Sequence, residues 1–269
     1  MTDSNWGTDG TMWRTIPPPF VPTEEDVELV RKACPSELIE SSAAPRILLL
    51  GVTPMLADAA WLASSELHAV DYDQVMIATL WRPRERYHCH CARWQEMPFP
   101  DGFFDLVIGD CSFNALPAIA DYAEVLREVA RVCRPSAPLI CRFFMQSEPR
   151  LSLGEVAREA AGRFGDYSLA ERRLLIPMAA SEDDGSIHST DIRDRIREQF
   201  GDVEAFLAVL GQEGEDKVRA LRTFEFDQWL NYPTRARIRA EFERYFSDIR
   251  FAFPDYAAGP FCPIVSCYA

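Results

Sequence analysis

The chain has 269 residues, of which 48% are apolar and 26% are charged, a composition typical of a globular protein rather than a disordered or fibrous one. Its 28 basic and 42 acidic residues give a net charge of −14, which disfavours binding to nucleic acid and to anionic membranes. No apolar run approaches the roughly 20 residues of a membrane span, and the first residues have neither the basic start nor the apolar stretch of a secretory signal. The 8 cysteines are therefore expected to be reduced thiols in a cytoplasm.

The first part of the chain predicts an arm, a helix and a buried strand. Residues 1–22 include Trp6, Trp13 and three successive prolines, and are expected to form an irregular arm. Thr23 suits the N-cap of the helix that follows. Residues 45–51 form an unalternating apolar run that ends at a glycine, which is typical of a strand buried on both faces of a parallel sheet.

After this strand the pattern alternates between helical and strand-like periods. The predicted elements, in chain order, are helix 55–64, strand 66–70, helix 73–81, strands 88–92 and 104–109, helix 121–133 and strand 139–144. Such alternation predicts a doubly wound α/β fold, with a mostly parallel sheet and helices on both faces.

The second half of the chain adds a cap and two strands. Residues 148–242 are mostly helical in pattern, and about 90 residues are too many for a connection between neighbouring strands. The apolar segments 249–253 and 263–268 are expected to pair as an antiparallel hairpin at the edge of the sheet. The predicted parts are an arm (1–22), a core (23–147), a helical cap or substrate insertion (148–242) and a C-terminal strand pair that completes a seven-stranded sheet (243–269).

The first strand leads into the turn Gly51-Val52-Thr53-Pro54, and the second predicted strand ends at Asp71. In open α/β sheets a ligand lies outside the carboxyl ends of the strands, beside such a crossover. The glycine lets the backbone approach a ligand closely. A carboxylate at the end of the second strand can accept hydrogen bonds from both hydroxyls of a ribose. These residues predict a nucleoside site.

This turn has one glycine where a dinucleotide-binding turn has three. Val52 and Thr53 crowd the backbone, and Pro54 removes an amide donor that a diphosphate would need. An uncharged sugar with an amino-acid tail is tolerated, which favours S-adenosylmethionine and disfavours a nicotinamide-dependent oxidoreductase. A plain strand–helix turn followed by an acidic surface residue is the alternative.

Two further segments follow at regular spacing. Residues 94–110 comprise a loop, a Pro/Asp-Gly turn and a buried strand, and residues 126–135 comprise an amphipathic helix and an Arg-Pro turn. Together with the first turn, these segments within residues 20–150 resemble the class I S-adenosylmethionine-dependent methyltransferases. The G-V-T-P turn resembles that of one bacterial branch. The resemblance implies a Rossmann-like fold, methyl transfer and S-adenosylmethionine as the cofactor.

The resemblance also implies which residues surround the cofactor. The first turn would contact its methionine part, Asp71 would hold the ribose hydroxyls, and the residues after the second and third strands would flank the adenine. The end of the fourth strand would face the methionine amino group and the acceptor. The cofactor-binding residues so assigned are Gly51, Val52, Thr53, Asp71, Tyr72, Met76, Arg93, Trp94, Gly109, Asp110 and Cys111.

Three positions depart from the pattern of that family. Arg93 lies in a segment where an acidic residue often contacts the adenine amine, and Met55 stands where the branch usually has glutamate. Ser136 lies in the turn before the fifth strand, which is structural. The first two departures motivate an alternative function, that of a non-catalytic methyltransferase-fold partner subunit or regulatory binding protein.

Methyl transfer from a sulfonium is an in-line SN2 displacement, and much of its rate can come from positioning alone. A base is needed only when the acceptor is protonated near neutral pH. The candidates are Asp110, with Asn114 near it at the sheet edge, and His188 in the cap. A helix-capping role for Asp110 and a surface-loop position for His188 are the alternatives.

The acceptor is predicted to be a small-molecule metabolite held under the cap. Aromatic residues of the arm, such as Phe20, would either fold over the ligands or pack on helices. No nucleic acid or membrane partner is expected. The oligomeric state is left open between a monomer and a homodimer.

No metal site is predicted. In the run His88-Cys89-His90-Cys91 the histidines and cysteines would point to opposite faces of a strand, so that each face offers two ligands where structural zinc takes four. The cysteines are expected to be core thiols, as are Cys262 and Cys267, and the histidines to lie at an edge. The acidic turn 183–185 lacks the ligand spacing of a calcium loop.

Overall fold

The structure, a computed structural model, describes residues 16–39, 44–62, 64–225 and 227–269. The arm residues Trp6 and Trp13 lie outside these ranges. The helices are α1 (Glu24–Ala33), α2 (Ser36–Ile39), α3 (Pro54–Ala57), α4 (Gln74–Leu80), α5 (Tyr122–Val132), α6 (Leu153–Glu159), α7 (Leu169–Ala180), α8 (Asp191–Phe200), α9 (Val203–Val209), α10 (Gly214–Thr223) and α11 (Arg235–Phe242). None of the helices in these ranges combines the length and the apolar character needed to cross a bilayer.

Seven of the nine strands in the described ranges form one sheet, in the order β3-β2-β1-β4-β5-β9-β8. The first five pair in parallel, and β9 pairs antiparallel with both β5 and β8. This confirms the predicted doubly wound α/β fold with an antiparallel C-terminal strand pair. The strands are β1 (Arg46–Leu50), β2 (Glu66–Asp71), β3 (Tyr87–Cys91), β4 (Leu106–Asp110), β5 (Pro138–Arg142), β6 (Ser186–His188), β7 (Trp229–Asn231), β8 (Ser247–Ala252) and β9 (Ile264–Tyr268).

The unalternating apolar run of β1 is explained by apolar clusters on both faces of the sheet. Leu48 and Leu50 belong to one buried cluster, and Ile47 and Leu49 belong to another. Each of these four side chains is at most 1% exposed. Because both faces are covered, the strand has no polar face and its sequence shows no period of two.

Two predicted elements differ from the structure. The helix predicted over 55–64 is α3 followed by a 3₁₀ turn at Ala60–Leu62, because the amide of Ala59 bonds to the carbonyl of Leu56 and tightens the chain. The mostly helical cap also contains a two-stranded antiparallel sheet, β6 with β7. Three-residue strands are too short to show an alternating pattern in the sequence.

Most apolar side chains of the cap belong to a third buried cluster, which includes Val156 and Leu174, each fully buried, and which also contains Phe144 and Phe261 from outside the cap. Ile238 and Phe242 of α11, in contrast, belong to the cluster that packs on the sheet. The division of the chain into four parts remains a prediction.

Two buried asparagines join the cap to the sheet. The Nδ2 group of Asn231, in β7, donates to the carbonyls of Phe113 at 3.0 Å and Leu116 at 2.6 Å, and its Oδ1 accepts from the hydroxyl of Tyr122. Asn114 donates in turn to the carbonyls of Phe144 and Asn231, each at 2.7 Å. These bonds fix β7, and with it one side of the cap, against the carboxyl edge of the sheet.

We expect Asn231→Ala to destabilise the protein by about 3 kcal/mol, because it leaves several buried polar groups without partners. Tyr122→Phe removes a single hydrogen bond of the same network and should cost about 1 kcal/mol. Urea denaturation followed by circular dichroism measures both. Equal losses in the two variants would show that Asn231 does not fasten the cap.

Candidate active site

A cavity of about 750 Å³ lies between the carboxyl edge of the sheet, the arm and the cap. Its size is within the range of roughly 300–1,000 Å³ for small-molecule sites. The cavity is lined by every residue that was predicted to bind the cofactor or to act as a base, except Gly109. Those that line it are Gly51, Val52, Thr53, Asp71, Tyr72, Met76, Arg93, Trp94, Asp110, Cys111 and His188.

Gly51 leaves open the space between the side chains of Asp71 and Trp94. It adopts φ +98°, a conformation that favours glycine, and its amide donates to the carbonyl of Val70 at 2.8 Å. A Cβ at this position would lie 3.9 Å from Asp71 Oδ2 and 4.0 Å from the Trp94 ring. A side chain here would project between the carboxylate and the indole, so the missing side chain makes room for a ligand.

Asp71 ends β2 with one carboxylate oxygen directed to the cavity edge. Its Oδ1 accepts from the amide of Asp73 at 2.9 Å, and no cation of the described chain lies within 4.0 Å. Burial raises the pKa of the Asp71 carboxyl to about 6, although the amide of Asp73 opposes the rise. This carboxylate has spare hydrogen-bonding capacity of the kind that suits ribose hydroxyls.

The predicted adenine region is built from rings and an arginine. The indole N–H of Trp94 donates to the carbonyl of Val70 at 2.7 Å, so this side chain offers a ligand only the face of its ring. The guanidinium of Arg93 lies 5.8 Å from the ring centre of Tyr72, and Met76, which is partly buried, lines the same cavity. These side chains thus give the cavity two aromatic rings, a thioether and a guanidinium.

Asp110, at the end of β4, is committed to a buried arginine. Its Oδ1 accepts from Arg142 Nε at 2.7 Å, and its Oδ2 accepts from the hydroxyl of Thr53 at 3.4 Å. Arg142 is 1% exposed; it also donates to the carbonyl of Pro19 at 2.7 Å and lies 3.6 Å from Asp26 of α1. The charges of Asp110 and Asp26 keep the pKa of Arg142 well above its usual value although burial lowers it. Both carboxylate oxygens of Asp110 therefore already accept hydrogen bonds from the protein.

The packing and hydrogen bonds of three further residues near the end of β4 serve the fold; these residues are Gly109, Cys111 and Asn114. A Cβ on Gly109 would lie 2.8 Å from Ser112 Oγ and 2.9 Å from Cys141 Sγ, so packing requires the glycine, and it does not line the cavity as predicted. Burial raises the pKa of the Cys111 thiol well above its usual value, which keeps it protonated. Asn114 lines the cavity, but its side-chain groups are used in fastening the cap.

His188 lies on β6 and faces the cavity, in a strand rather than in the surface loop considered as the alternative. Its Nδ1 is 2.7 Å from the hydroxyl of Thr190, and its Nε2 is 3.2 Å from the exposed carboxylate of Asp227. The Trp229 ring packs edge-on against it at 5.2 Å. His188 is thus an oriented imidazole at the cap side of the cavity.

The sequence interpretation missed Arg142, Asp26 and the cap residue Arg173, which lines the cavity from α7. A signal existed for Arg142, because it is the one charged residue in the otherwise apolar segment 138–145. Phe20 of the arm lies over the cavity, with its ring 6.2 Å from that of Phe144. Phe20 also contacts Arg173 of α7, so both alternatives for the arm, covering the ligands or packing on helices, remain open.

The histidines of β3 have partners that were not predicted. His88 and His90 share a face as expected, but β2 adds His68 and Glu66 to it. Glu66 Oε1 lies 3.0 Å from His68 Nε2 and 3.9 Å from His88 Nε2. Counting the ligands of one strand alone therefore underestimated the groups on this face. Glu66 Oε2 also lies 3.5 Å from Arg46 Nε, so an arginine compensates its charge. The expectation that no metal binds here remains a prediction.

The cysteines of β3 are not both core thiols. Cys89 is partly buried and packs with the apolar cluster on the other face, whereas Cys91 is exposed. Cys262 and Cys267 are buried, as predicted. Cys91 is exposed because β3 is the edge strand of the sheet.

The sheet order, with its antiparallel final strands and a ligand cavity at the β1 and β2 carboxyl ends, is the fold of class I S-adenosylmethionine-dependent methyltransferases. Residues 51–141 match the family model of the methyltransferase domain. A segment of 100 residues, 36% of this chain, is 33% identical to the demethylmenaquinone methyltransferase of Bacillus licheniformis and covers 41% of that protein. The match thus spans less than half the length of this relative.

Solved structures agree in fold. An S-adenosylmethionine-dependent methyltransferase from Methanosarcina mazei aligns over 89% of this chain and 96% of its own, with a TM-score of 0.53 and 14% identity. Human N-acetylserotonin methyltransferase in complex with S-adenosylmethionine aligns over 90% of this chain and 51% of its own, with a TM-score of 0.50 and 12% identity. The domain match and these structures support S-adenosylmethionine as the cofactor, and the open space between Gly51 and Asp71 fits a nucleoside.

We expect Arg142→Met to reduce the free energy of unfolding by about 3–5 kcal/mol, because it leaves the buried carboxylates of Asp110 and Asp26 without their shared cation. Arg127→Met, on the exposed face of α5, is the matched control and should change the free energy of unfolding by less than about 0.5 kcal/mol. Urea denaturation of the wild type and both variants measures these free energies. A loss below about 1 kcal/mol in Arg142→Met would contradict the role given to this ion pair.

Proposed function

We propose that the protein is an S-adenosylmethionine-dependent methyltransferase that acts on a small-molecule acceptor. The observation that carries the proposal is the partly buried Asp71 carboxylate, which lacks a cation and faces the space left by Gly51. When bound, S-adenosylmethionine supplies an electrophilic methyl carbon; the acceptor atom forms the new bond, the carbon–sulfur bond breaks, and the proton of the acceptor is released. We further propose that the protein belongs to the bacterial branch of these methyltransferases whose first turn reads G-V-T-P.

The residues around the cavity have distinct proposed roles. Asp71 would accept from both ribose hydroxyls, and the faces of Trp94 and Tyr72 would hold the adenine. Asp110, held in place by Arg142, would accept from the methionine ammonium group. Because these groups are already oriented by Val70, Asp73 and Arg142 through bonds to the core, little ordering is needed on binding.

A small acceptor is supported by the cap and by charge. The cavity is lined by residues of β6, β7 and α7 of the cap and by residues of the arm, and its volume of about 750 Å³ is that of a small-molecule site. The net charge of −14 disfavours nucleic acid. The menaquinone-type substrate in the name of the Bacillus licheniformis relative is itself a small molecule, which agrees with this size class.

His188 is the proposed base for an acceptor that must lose a proton. It faces the cavity from the cap, and Thr190 fixes its Nδ1, so that Nε2 can exchange the exposed Asp227 for an acceptor hydroxyl.

The alternative of a non-catalytic partner subunit is less well supported by the structure. Met55, one of the two departures that motivated it, is 39% exposed and does not line the cavity. Arg93, the other departure, lines the cavity with its guanidinium 5.8 Å from the ring centre of Tyr72.

Titration calorimetry tests the cofactor. We expect S-adenosylmethionine and S-adenosylhomocysteine to bind and NAD not to bind. Asp71→Ala should weaken S-adenosylhomocysteine binding about 10- to 150-fold, because a charged hydrogen-bond acceptor is worth about 1.5–3 kcal/mol.

The control for this variant is Asp101→Ala, which removes an exposed carboxylate paired with Arg131 and should leave the affinity unchanged. If neither adenosyl compound binds, the proposed function is wrong. If Asp71→Ala binds as tightly as the wild type, the ribose has been assigned to the wrong residue.

The raised pKa of Asp71 predicts a pH dependence of cofactor affinity. Below about pH 6 the carboxyl of the free protein becomes protonated and loses its charge-assisted bonds to the ribose, so affinity falls as pH is lowered. Between pH 7 and pH 5 the loss should be about tenfold. Calorimetry with S-adenosylhomocysteine measures it. Asp71→Asn should bind weakly and without this dependence; an equal dependence in the variant would assign it to another group.

A further inference from the structure

Three arginines of the cap line the same cavity as Asp71. Arg173 comes from α7, and Arg219 and Arg222 come from α10. Arg219 is exposed and pairs with Glu215 at 3.3 Å and with Asp216 at 3.4 Å. Arg173 differs from it, because its side chain is buried, with 5% of the residue exposed.

Arg173 has no counter-ion among the residues that the structure describes. No carboxylate of this part of the chain lies within 4.0 Å of its guanidinium, and its buried Nε donates no hydrogen bond. The guanidinium lies over the ring of Phe20, 4.8 Å from its centre. Burial lowers the pKa of Arg173, and the attraction of Asp216 does not restore it.

The contrast with Arg142 shows that this position is unusual for the protein. Both arginines are buried, but Arg142 has Asp110 at 2.7 Å and Asp26 at 3.6 Å. The chain carries 42 acidic residues against 28 basic ones, so carboxylates are abundant. A buried charge without a partner costs free energy, and a ligand that supplies the opposite charge removes that cost.

The walls beside Arg173 are apolar and aromatic. Phe20, which Arg173 covers, meets Phe144 edge to face, and Trp229 and Tyr232 line the same cavity. Such walls suit the body of an aromatic ligand, while a guanidinium suits a planar carboxylate through two parallel hydrogen bonds.

We propose that the methyl acceptor is an aromatic molecule with a carboxylate, and that Arg173 is the residue that binds this carboxylate. The inference rests on the proposed function. It places the anion of the acceptor at the cap, where Arg222 adds positive charge, and leaves the sheet edge to the cofactor. Arg173 is then a specificity-determining residue.

The test uses the full chain saturated with S-adenosylhomocysteine. Benzoate and indole-3-acetate are titrated as probes, each beside its neutral amide, benzamide or indole-3-acetamide. We expect each acid to bind more tightly than its amide, and Arg173→Gln to weaken the binding of the acids about tenfold or more without changing the amides.

Arg163→Gln is the matched control. Arg163 also lies over an aromatic ring, that of Phe164 at 4.5 Å, but it is exposed and does not line the cavity. This variant should bind the acids like the wild type. If neither acid binds the wild type more tightly than its amide, or if Arg173→Gln leaves the preference intact, the inference is wrong.

Two further measurements distinguish binding of the acceptor carboxylate from a cofactor-binding or structural role of Arg173. If S-adenosylhomocysteine binds the wild type but loses affinity in Arg173→Gln, Arg173 serves the cofactor carboxylate and the inference is overturned while the proposed function stands. Absence of S-adenosylhomocysteine binding to the wild type overturns the proposed function itself.

Arg173→Met should melt at or above the wild-type temperature without ligands, whereas a clear drop would show that Arg173 is structural and would overturn the inference.

Discussion

Two charges of opposite sign, Asp71 and Arg173, line one cavity without counter-ions among the described residues. Leaving charged groups in partly or fully buried positions without partners is unfavourable, and folded proteins ordinarily pair them. The Arg142–Asp110–Asp26 group shows that this protein does so elsewhere. In the proposed function, the partners of Asp71 and Arg173 are ligands, a nucleoside at the sheet and an anion at the cap.

The paired group has a different function, which is to hold the cavity in shape. Arg142 lies on β5, Asp110 on β4 and Asp26 on α1, and the guanidinium also bonds to the arm at Pro19. One buried cation thus connects two strands, a helix and the arm. Its position explains why the arm lies over the cavity and why the carboxylate of Asp110 has a fixed orientation.

The fold, and the residues that line the cavity at the sheet, could be predicted from the sequence because their signals are local. An unalternating apolar run identified β1, and Gly51 and Asp71 stand at strand ends, where the topology of an α/β sheet places ligands. Gly109 also ends a strand but does not line the cavity, and its cofactor-binding role stays a prediction. A glycine required by packing against Cys141 has the same sequence signature as one required by a ligand.

The cap side could not be predicted, because its contacts join residues far apart in the chain. Arg173 meets Phe20, and Asn231 meets Asn114, across separations that no periodic pattern records. The face shared by His68 and His88 likewise depends on the register between β2 and β3. The sequence shows which strands exist but not how they are aligned.

A crystal structure of the protein with S-adenosylhomocysteine would decide whether Asp71 and Gly51 hold the nucleoside. We expect both ribose hydroxyls within hydrogen-bonding distance of the Asp71 carboxylate, the adenine against the Trp94 ring, and Arg173 free to meet a second ligand. A ribose bound elsewhere, or a side chain filling the space beside Gly51, would show that the site has been assigned wrongly.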